Sequence, residues 1–274
     1  MRIAMIGPFG LQPKGTMRVR ALPLARELVV LGHAVKVVMP PWHTPGEPAR
    51  TWNDGGVATE YVALGPQLPL LSYLTVTLRL VKSALACRPD VVHCFKPKAY
   101  AGFAAWILWR LRGLRLTRAR LIIDADDWEG PGGWNELEPY CAGLRRVFDW
   151  QERWGLRHCD AVTVASRTLQ SLVWSLGVSP GKAHYLPNGA DRSRPGDGSK
   201  ARDLHGLGQA PVVLLYTRFF EYDPERVVAV FRQVVSEMPD ARLLVVGEAL
   251  FAADDARFDR AVAEAGLGRN VARA

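Results

Sequence analysis

Short apolar runs alternate with helix-period segments along this chain, and that alternation limits the fold more than any other feature. Ile3 to Gly7 (IAMIG) precedes a Gly/Pro-rich turn and a helical pattern from about Met17 to Leu31. Val35 to Pro40 follows, stopped by two prolines, then a Leu-rich helical segment from Leu70 to Ala86. Pro89 to Phe95 (PDVVHCF), a helix from about Ala99 to Leu111, and Arg120 to Asp127 (RLIIDADD) continue the series. A helix around Gly143 to Arg157, the run Asp160 to Ser166, the helix Arg167 to Leu176 and HYLPN complete it. Strands that are apolar throughout and joined by helices indicate a parallel sheet covered on both faces, the α/β class.

The pattern breaks between Arg192 and Ala210, a polar stretch rich in Gly and charge that reads as a linker. Residues 1–191 are expected to form one domain. Residues 211–274 restart the alternation with two strands and two helices. Such a pair cannot bury itself well, so this second domain is expected to be incomplete.

Apolar residues make up 49% of the 274, enough for a core, and disorder is excluded as the main state. Cys87, Cys94, Cys141 and Cys159 form no C-x-x-C pair, which argues against a disulfide framework and a structural zinc site. Neither a secretory signal nor the roughly 20-residue apolar run of a membrane span is visible, so a reduced, cytoplasmic protein is expected.

Three motifs carry possible chemistry. The turn GPFGLQPKGTMR lies between a strand and a helix, where backbone N–H groups and the helix dipole favour an anion. Gly7, Gly10 and Gly15 permit close approach, and Lys14 and Arg18 add charge; the alternative is a flexible turn with solvated cations. Its spacing departs from G-x-G-x-x-G, and no acidic residue closes the second strand, which disfavours a dinucleotide-dependent dehydrogenase. The second motif, IIDADDWEG, puts Asp124, Asp126 and Asp127 at the C-terminal end of a strand. Three clustered carboxylates repel, so one needs a raised pKa or a cationic neighbour, and one can act as a general base. The alternative is Asp127 as a helix N-cap, with the others held by backbone or Arg. No nearby His completes a metal-ligand set. His93, with Lys96 and Lys98 after it, falls on the same sheet edge and is either structural or part of the site.

The third motif, Ala99 to Arg120, contains Arg110, Arg112, Arg115, Arg118 and Arg120 with Trp106 and Trp109 and no acid. It reads either as an interfacial segment for an anionic bilayer or as a solvated helix end. No nucleic-acid motif accompanies it. These arginines supply part of the net charge, 35 − 27 = +8.

Four collinear segments carry a resemblance: KGTMRVRALPLARELVVLGHAVKVV, PDVVHCFKPKA, DAVTVASRTLQSLVWSLGVSPGKAHYLPNGAD and LLYTRFFEYDPERVVAVFRQVVSEMPDARLLVVGE. Together they resemble family 4 of the GT-B glycosyltransferases, retaining enzymes that use nucleotide-sugar donors, many of them in bacterial surface-polysaccharide synthesis. The resemblance implies two Rossmann-like domains and a donor that is a substrate, with no cofactor and no metal. It implies that Gly15 and Arg218 meet the donor diphosphate. Asp126, Asp127 and His93 are then the catalytic candidates, with Lys14, Arg18 and Lys96 on the acceptor side and a glycan or lipid-linked acceptor. Three departures stand out. No lysine follows Arg218 within Phe219 to Glu225, and Arg226 is an imperfect substitute. Asp126 stands where the family often has a histidine. The family's later glutamate pair is absent, so this chain is expected to be inactive by itself. Two other readings are a non-catalytic binding protein that keeps the acceptor or membrane surface, and a sugar-nucleotide epimerase.

Overall fold

The computed structural model describes residues 1–12, 15–66, 68–189 and 196–274. The chain divides into two compact units, Met1–Asp191 and Arg192–Ala274.

In the first unit, β1 (Arg2–Ile6) leads through a π-helical turn (Thr16–Ala21) into α1 (Leu22–Val30) and β2 (Ala34–Met39). The hairpin β3 (Arg50–Asp54) and β4 (Val57–Tyr61) comes next, then α2 (Pro69–Ala86), β5 (Val91–Phe95) and α3 (Ala99–Gly113). The remainder is β6 (Arg120–Ala125), α4 (Trp134–Leu137), α5 (Ala142–Arg157), β7 (Ala161–Val164), α6 (Arg167–Ser175) and β8 (Ala183–Tyr185). The eight strands form one sheet in the order β3-β4-β2-β1-β5-β6-β7-β8, parallel except for β3, which runs antiparallel to β4. The α/β class and its mainly parallel sheet follow the pattern of apolar runs.

Two apolar layers cover the sheet. Residues of α2, α3, α5 and α6 pack with Val92, Cys94, Ile123 and Val162 on one face. Met17, Ala21, Leu22 and Ala25 pack with Met5, Val37 and Phe95 on the other. Strand alternation sends Cys94 and Phe95 to opposite faces, and each is fully buried.

The second unit begins with α7 (Gly198–Leu204), within the stretch read as a linker. Asp197 starts that helix by accepting the Ser199 N–H, an N-cap within a polar segment. Next come β9 (Val212–Tyr216), α8 (Pro224–Glu237), β10 (Arg242–Val246), α9 (Ala252–Glu264) and β11 (Val271–Arg273). The sheet therefore has three parallel strands, β11-β10-β9, where two were expected. Phe219, Val228, Phe231, Leu243, Val245 and Phe258 form the core of this unit. Leu214 and Tyr216 of the edge strand β9 remain 62% and 77% exposed.

Candidate functional site

From β1 the chain proceeds to β2 on one side, whereas β5 lies on the other, so the first unit has its topological switch point between β1 and β5. Open α/β sheets bind ligands outside the C-terminal strand ends at such a point. The turn after β1, the loop after β5 and the IIDADDWEG motif after β6 meet there.

The loop after β5 is unusual. Lys96 and Ala99 both have left-handed backbone, with φ of 46° and 54°, a conformation that costs a non-glycine residue about 1–3 kcal/mol. The Lys96 N–H donates to the Asp124 carbonyl, the Lys98 N–H donates to the Lys96 carbonyl, and the Gln151 amide of α5 donates to the Ala99 carbonyl at 2.8 Å. The loop thereby turns both lysines inward. The Lys96 Nζ lies 2.8 Å from Asp127, 3.1 Å from Glu129 and 3.6 Å from Asp126. The Lys98 Nζ meets Glu129 at 2.6 Å and lies over the rings of Tyr140 and Phe148. Burial would lower the Lys96 pKa, but the charges of Asp126, Glu129 and Asp127 outweigh it and hold the ammonium charged. Burial likewise works against ionised Glu129, yet the two lysines bring its pKa below the ordinary value. Glu152 of α5 accepts the Glu129 N–H on its carboxyl, and burial, then the Glu129 charge, pushes its pKa to about 8. It stays protonated near neutrality.

Asp126 differs from its neighbours. Its Oδ2 accepts the Thr16 hydroxyl at 2.8 Å, whereas Oδ1 is buried without a hydrogen-bond partner. Burial raises its pKa to about 6, Lys96 opposes that rise, and Asp127 and Asp124 add to it. A carboxyl that exchanges its proton near neutrality and presents an oxygen with no hydrogen bond, 3.6 Å from the Lys96 ammonium, suits acid–base work.

A second polar layer lies on the α1 face. Arg20 is buried and grips Asp124 with two bonds of 2.7 Å; its third nitrogen donates to the Leu186 carbonyl and to Asn188, both at 2.9 Å. Thr163 donates to Asp124, and the His93 Nε2 lies 3.0 Å from the Thr163 hydroxyl. Strand register explains the grouping. Phe95 pairs with Asp124 and Asp124 with Thr163, which places His93, Asp124 and Thr163 on one face. Burial lowers the His93 pKa to about 4, the Asp124 charge opposes that and the Arg20 charge adds to it, so the ring is neutral.

The structure thus brings Asp126, Asp127 and Lys96 together and puts His93 with Asp124 in the adjoining layer. Gly15 begins the π-helical turn, and a Cβ there would meet only Val19, at 3.5 Å. Packing does not require glycine at 15, whereas at Gly7 a Cβ would come within 2.1 Å of the Met17 sulfur. Arg18 is exposed on the same turn, and Lys14 lies outside the described residues. Arg112 pairs with Asp160 at the far end of α3, and Arg110, Arg115 and Arg118 are exposed near it. Sequence reasoning assigned no role to Arg20, Thr16, Lys98, Glu129 or Glu152. Thr16 and Arg20 are spaced i, i+4, and an arginine among the apolar residues of VRALPLA was the available signal.

In the second unit, the Arg218 guanidinium lies 3.1 Å from Glu221 and 4.9 Å from the Phe220 ring centre. Its carbonyl accepts the Leu250 N–H, linking the ends of β9 and β10. Gly247, at φ 126°, is required there because a Cβ would lie 2.1 Å from the Thr217 carbonyl oxygen. Among the described residues, no set of three or more His, Cys, Asp or Glu side chains is placed to hold a metal ion.

Comparison with known proteins gives this geometry a family. Residues 15–189 match the Glycosyl transferase 4-like domain family. No curated protein matches the chain. HepE from Anabaena, solved with UDP, superposes with a TM-score of 0.65 at 17% identity, over 100% of this chain and 68% of that one. Sucrose-phosphate synthase from Thermosynechococcus elongatus gives 0.65 at 20% identity, over 100% and 70%. A putative UDP-N-acetylglucosamine 2-epimerase from Listeria monocytogenes gives 0.57 at 10%, over 98% and 67%, so the fold is shared beyond transferases. The family match separates these readings: the chain belongs to the glycosyl transferase 4-like family and is a glycosyltransferase with the GT-B type of α/β fold.

Proposed function

We propose that the chain carries the acceptor side and the diphosphate contacts of an enzyme that transfers a sugar from a nucleotide-sugar donor to an acceptor hydroxyl, with retention of configuration, in the cytoplasmic synthesis of a surface polysaccharide or glycolipid. Without the family's glutamate pair the chain binds donor but does not turn over by itself. The carrying observation is Asp126, a buried carboxyl at the switch point with one oxygen that has no hydrogen-bond partner and a pKa of about 6. In this reading the acceptor oxygen bonds to the anomeric carbon on the face from which the nucleoside diphosphate departs, so configuration is retained. The C–O bond to the diphosphate breaks, Asp126 accepts the hydroxyl proton, and Lys96 stabilises the carboxylate before transfer. Asp127 and Lys96 also position the acceptor; His93, neutral and buried, supports Asp124 from behind. The Gly15 backbone and the Arg218 guanidinium meet the donor diphosphate, for which a guanidinium offers forked donors. Support for the donor class comes from HepE, solved with UDP and with UDP-glucose, and from Arabidopsis thaliana starch synthase IV, bound to ADP and acarbose. The donor is a substrate, and the reading needs no further cofactor.

Calorimetry against UDP-, ADP- and GDP-sugars, with mass spectrometry of the products, tests this. One donor should bind, and Arg218→Ala should weaken it by about 1.5–3 kcal/mol, the range for a hydrogen bond to a charged group. Asp126→Asn should keep that affinity and, in a chain extended with a segment bearing the family's glutamate pair, lower transfer at least tenfold. Equal transfer by the variant would remove Asp126 from the chemistry, and an unchanged donor affinity would remove Arg218.

A further inference from the structure

Helix α2 carries an apolar stripe that nothing among the described residues of the first unit covers. Leu70, Leu71, Leu74 and Leu78 are 89%, 46%, 53% and 49% exposed, and Leu68 before the helix is 62% exposed. At 100° per residue these four helical leucines fall within an arc of about 100°, with Lys82 at its margin. The opposite side of α2 is spent on the core through Val76, Leu80 and Ala84. Trp42, 38% exposed, extends the patch, with its ring 6.3 Å from that of Tyr73 on α2.

The charge around this stripe is one-sided. Between Val62 and Ala119 the only acidic residue is Asp90, which is engaged by Arg2. Lys82, Arg110, Arg115 and Arg118 are exposed in the same span, on or beside α2 and α3, which pack against each other. Leu114 and Leu116, 70% and 72% exposed, interleave with Arg115 and Arg118, and the Arg110 guanidinium lies 5.4 Å from the Trp106 ring centre. Among the described residues no helix is long and apolar enough to cross a membrane. Leucines, tryptophans and unpaired-sign basic charge on one helical layer match a surface that lies in the headgroup region of an anionic bilayer.

We propose that the outer face of α2 and α3 docks on an anionic lipid bilayer, with the α2 leucines, Trp42 and Trp106 entering the headgroup layer and Lys82, Arg110, Arg115 and Arg118 meeting lipid phosphates. Because α2 and α3 each join two strands of a parallel sheet, both helices run the same way, with the N-terminal end of α2 at the C-terminal strand edge and Arg110, Arg115 and Arg118 towards the opposite one. The bilayer therefore meets the outer faces of both helices along their length. The arginine segment singled out in the sequence supplies the electrostatic half of this surface, and the α2 stripe supplies the apolar half. Neither half depends on the identity of the donor.

Co-flotation of the full chain with vesicles of phosphatidylcholine, and of phosphatidylcholine with 30 mol% phosphatidylglycerol, tests the proposal. Binding is expected to the anionic vesicles, and it should fall at least tenfold between low salt and 0.5 M NaCl. L70Q/L74Q/L78Q should lose at least tenfold in binding, and R110Q/R115Q/R118Q should lose most of the salt-sensitive part. Both variants alter exposed side chains, and unchanged circular dichroism and melting would show that they remain folded. Bromine-labelled lipid should quench tryptophan fluorescence in the parent and not in the leucine variant. Absence of binding to the anionic vesicles, or equal binding by the leucine variant, would overturn the proposal. So would a soluble dimer that the leucine substitutions dissociate, which would make this face a contact between copies. Donor binding measured in parallel keeps this outcome separate from the fate of the transferase reading.

Discussion

Replacing Arg20 by Met tests the buried layer beneath the site. In the parent, Arg20 and Asp124 side chains are 4% and 0% exposed and joined by two bonds of 2.7 Å. Removing one member of such a pair leaves a charge with neither solvent nor counter-ion, a loss of about 3–5 kcal/mol. The Leu186 carbonyl and the Asn188 side chain also lose their donor, which puts the expectation in the upper half of that range. The structure then specifies how the loss varies with pH. Asp124 keeps Thr163 as a donor, and the His93 Nε2 lies 3.9 Å away. In the parent, burial holds the His93 pKa near 4, while Asp124 raises it and Arg20 lowers it. Without Arg20 the opposing charge is gone, and the His93 pKa rises. A histidine whose folded pKa is raised contributes stability below its unfolded value that is lost as pH increases. The parent behaves in the opposite sense, losing stability as pH falls from about 6.5 towards 4 because its buried His93 must remain neutral. The deficit of Arg20→Met should therefore be largest near pH 8 and shrink as pH falls through about 5 towards 4, by up to about 1.4 kcal/mol for each unit by which the His93 pKa has risen. Urea unfolding across that range measures it, with the His93 ring proton followed by NMR. A deficit below about 1 kcal/mol at pH 8, or one that does not change with pH, would refute this account of the layer.

Two further outcomes follow from neighbouring contacts. Glu152 has a folded pKa of about 8 against an ordinary 4.5, so the parent should lose stability as pH rises through that window; at about 1.4 kcal/mol per unit the upper bound is about 5 kcal/mol. Glu152→Gln lacks this slope, and its stability relative to the parent should increase from pH 5 to pH 8 in chemical denaturation. Gly102→Ala would bring a Cβ to 2.6 Å from the Pro97 carbonyl oxygen and 2.7 Å from Gln151; overpacking of that kind typically costs about 1–3 kcal/mol, which a thermal melt would register.

Much of the fold was readable because the strands of a doubly covered sheet leave long apolar runs, as in IAMIG and RLIIDADD. The hairpin β3–β4 was not readable: four of the five residues of RTWND are polar, and the strand lies at the sheet edge, where one side needs no apolar residues. The third strand of the second unit, VAR, is too short to show a period. At the site, the clustered aspartates announced that some cation had to be near, and Lys96 was within reach by sequence. Which carboxylate answers to which cation was not readable, because the pairing is decided across strands. Arg20 reaches Asp124 over a separation of 104 residues, and Glu152 comes from a helix with no sequence link to IIDADDWEG. Nor does composition distinguish the exposed leucines of α2 from core leucines; only the packing of α3 beside α2 shows which side remains bare.

The left-handed turns at Lys96 and Ala99 have a thermodynamic meaning for any molecule that binds here. Two ammonium groups among carboxylates in water would have to be gathered, dehydrated and held each time a ligand arrived. In this loop that ordering cost is met once, at folding, by the core packed around Pro97, Gly102 and Gln151. Each binding event then meets charges that are already aligned and have little reorganisation left to perform.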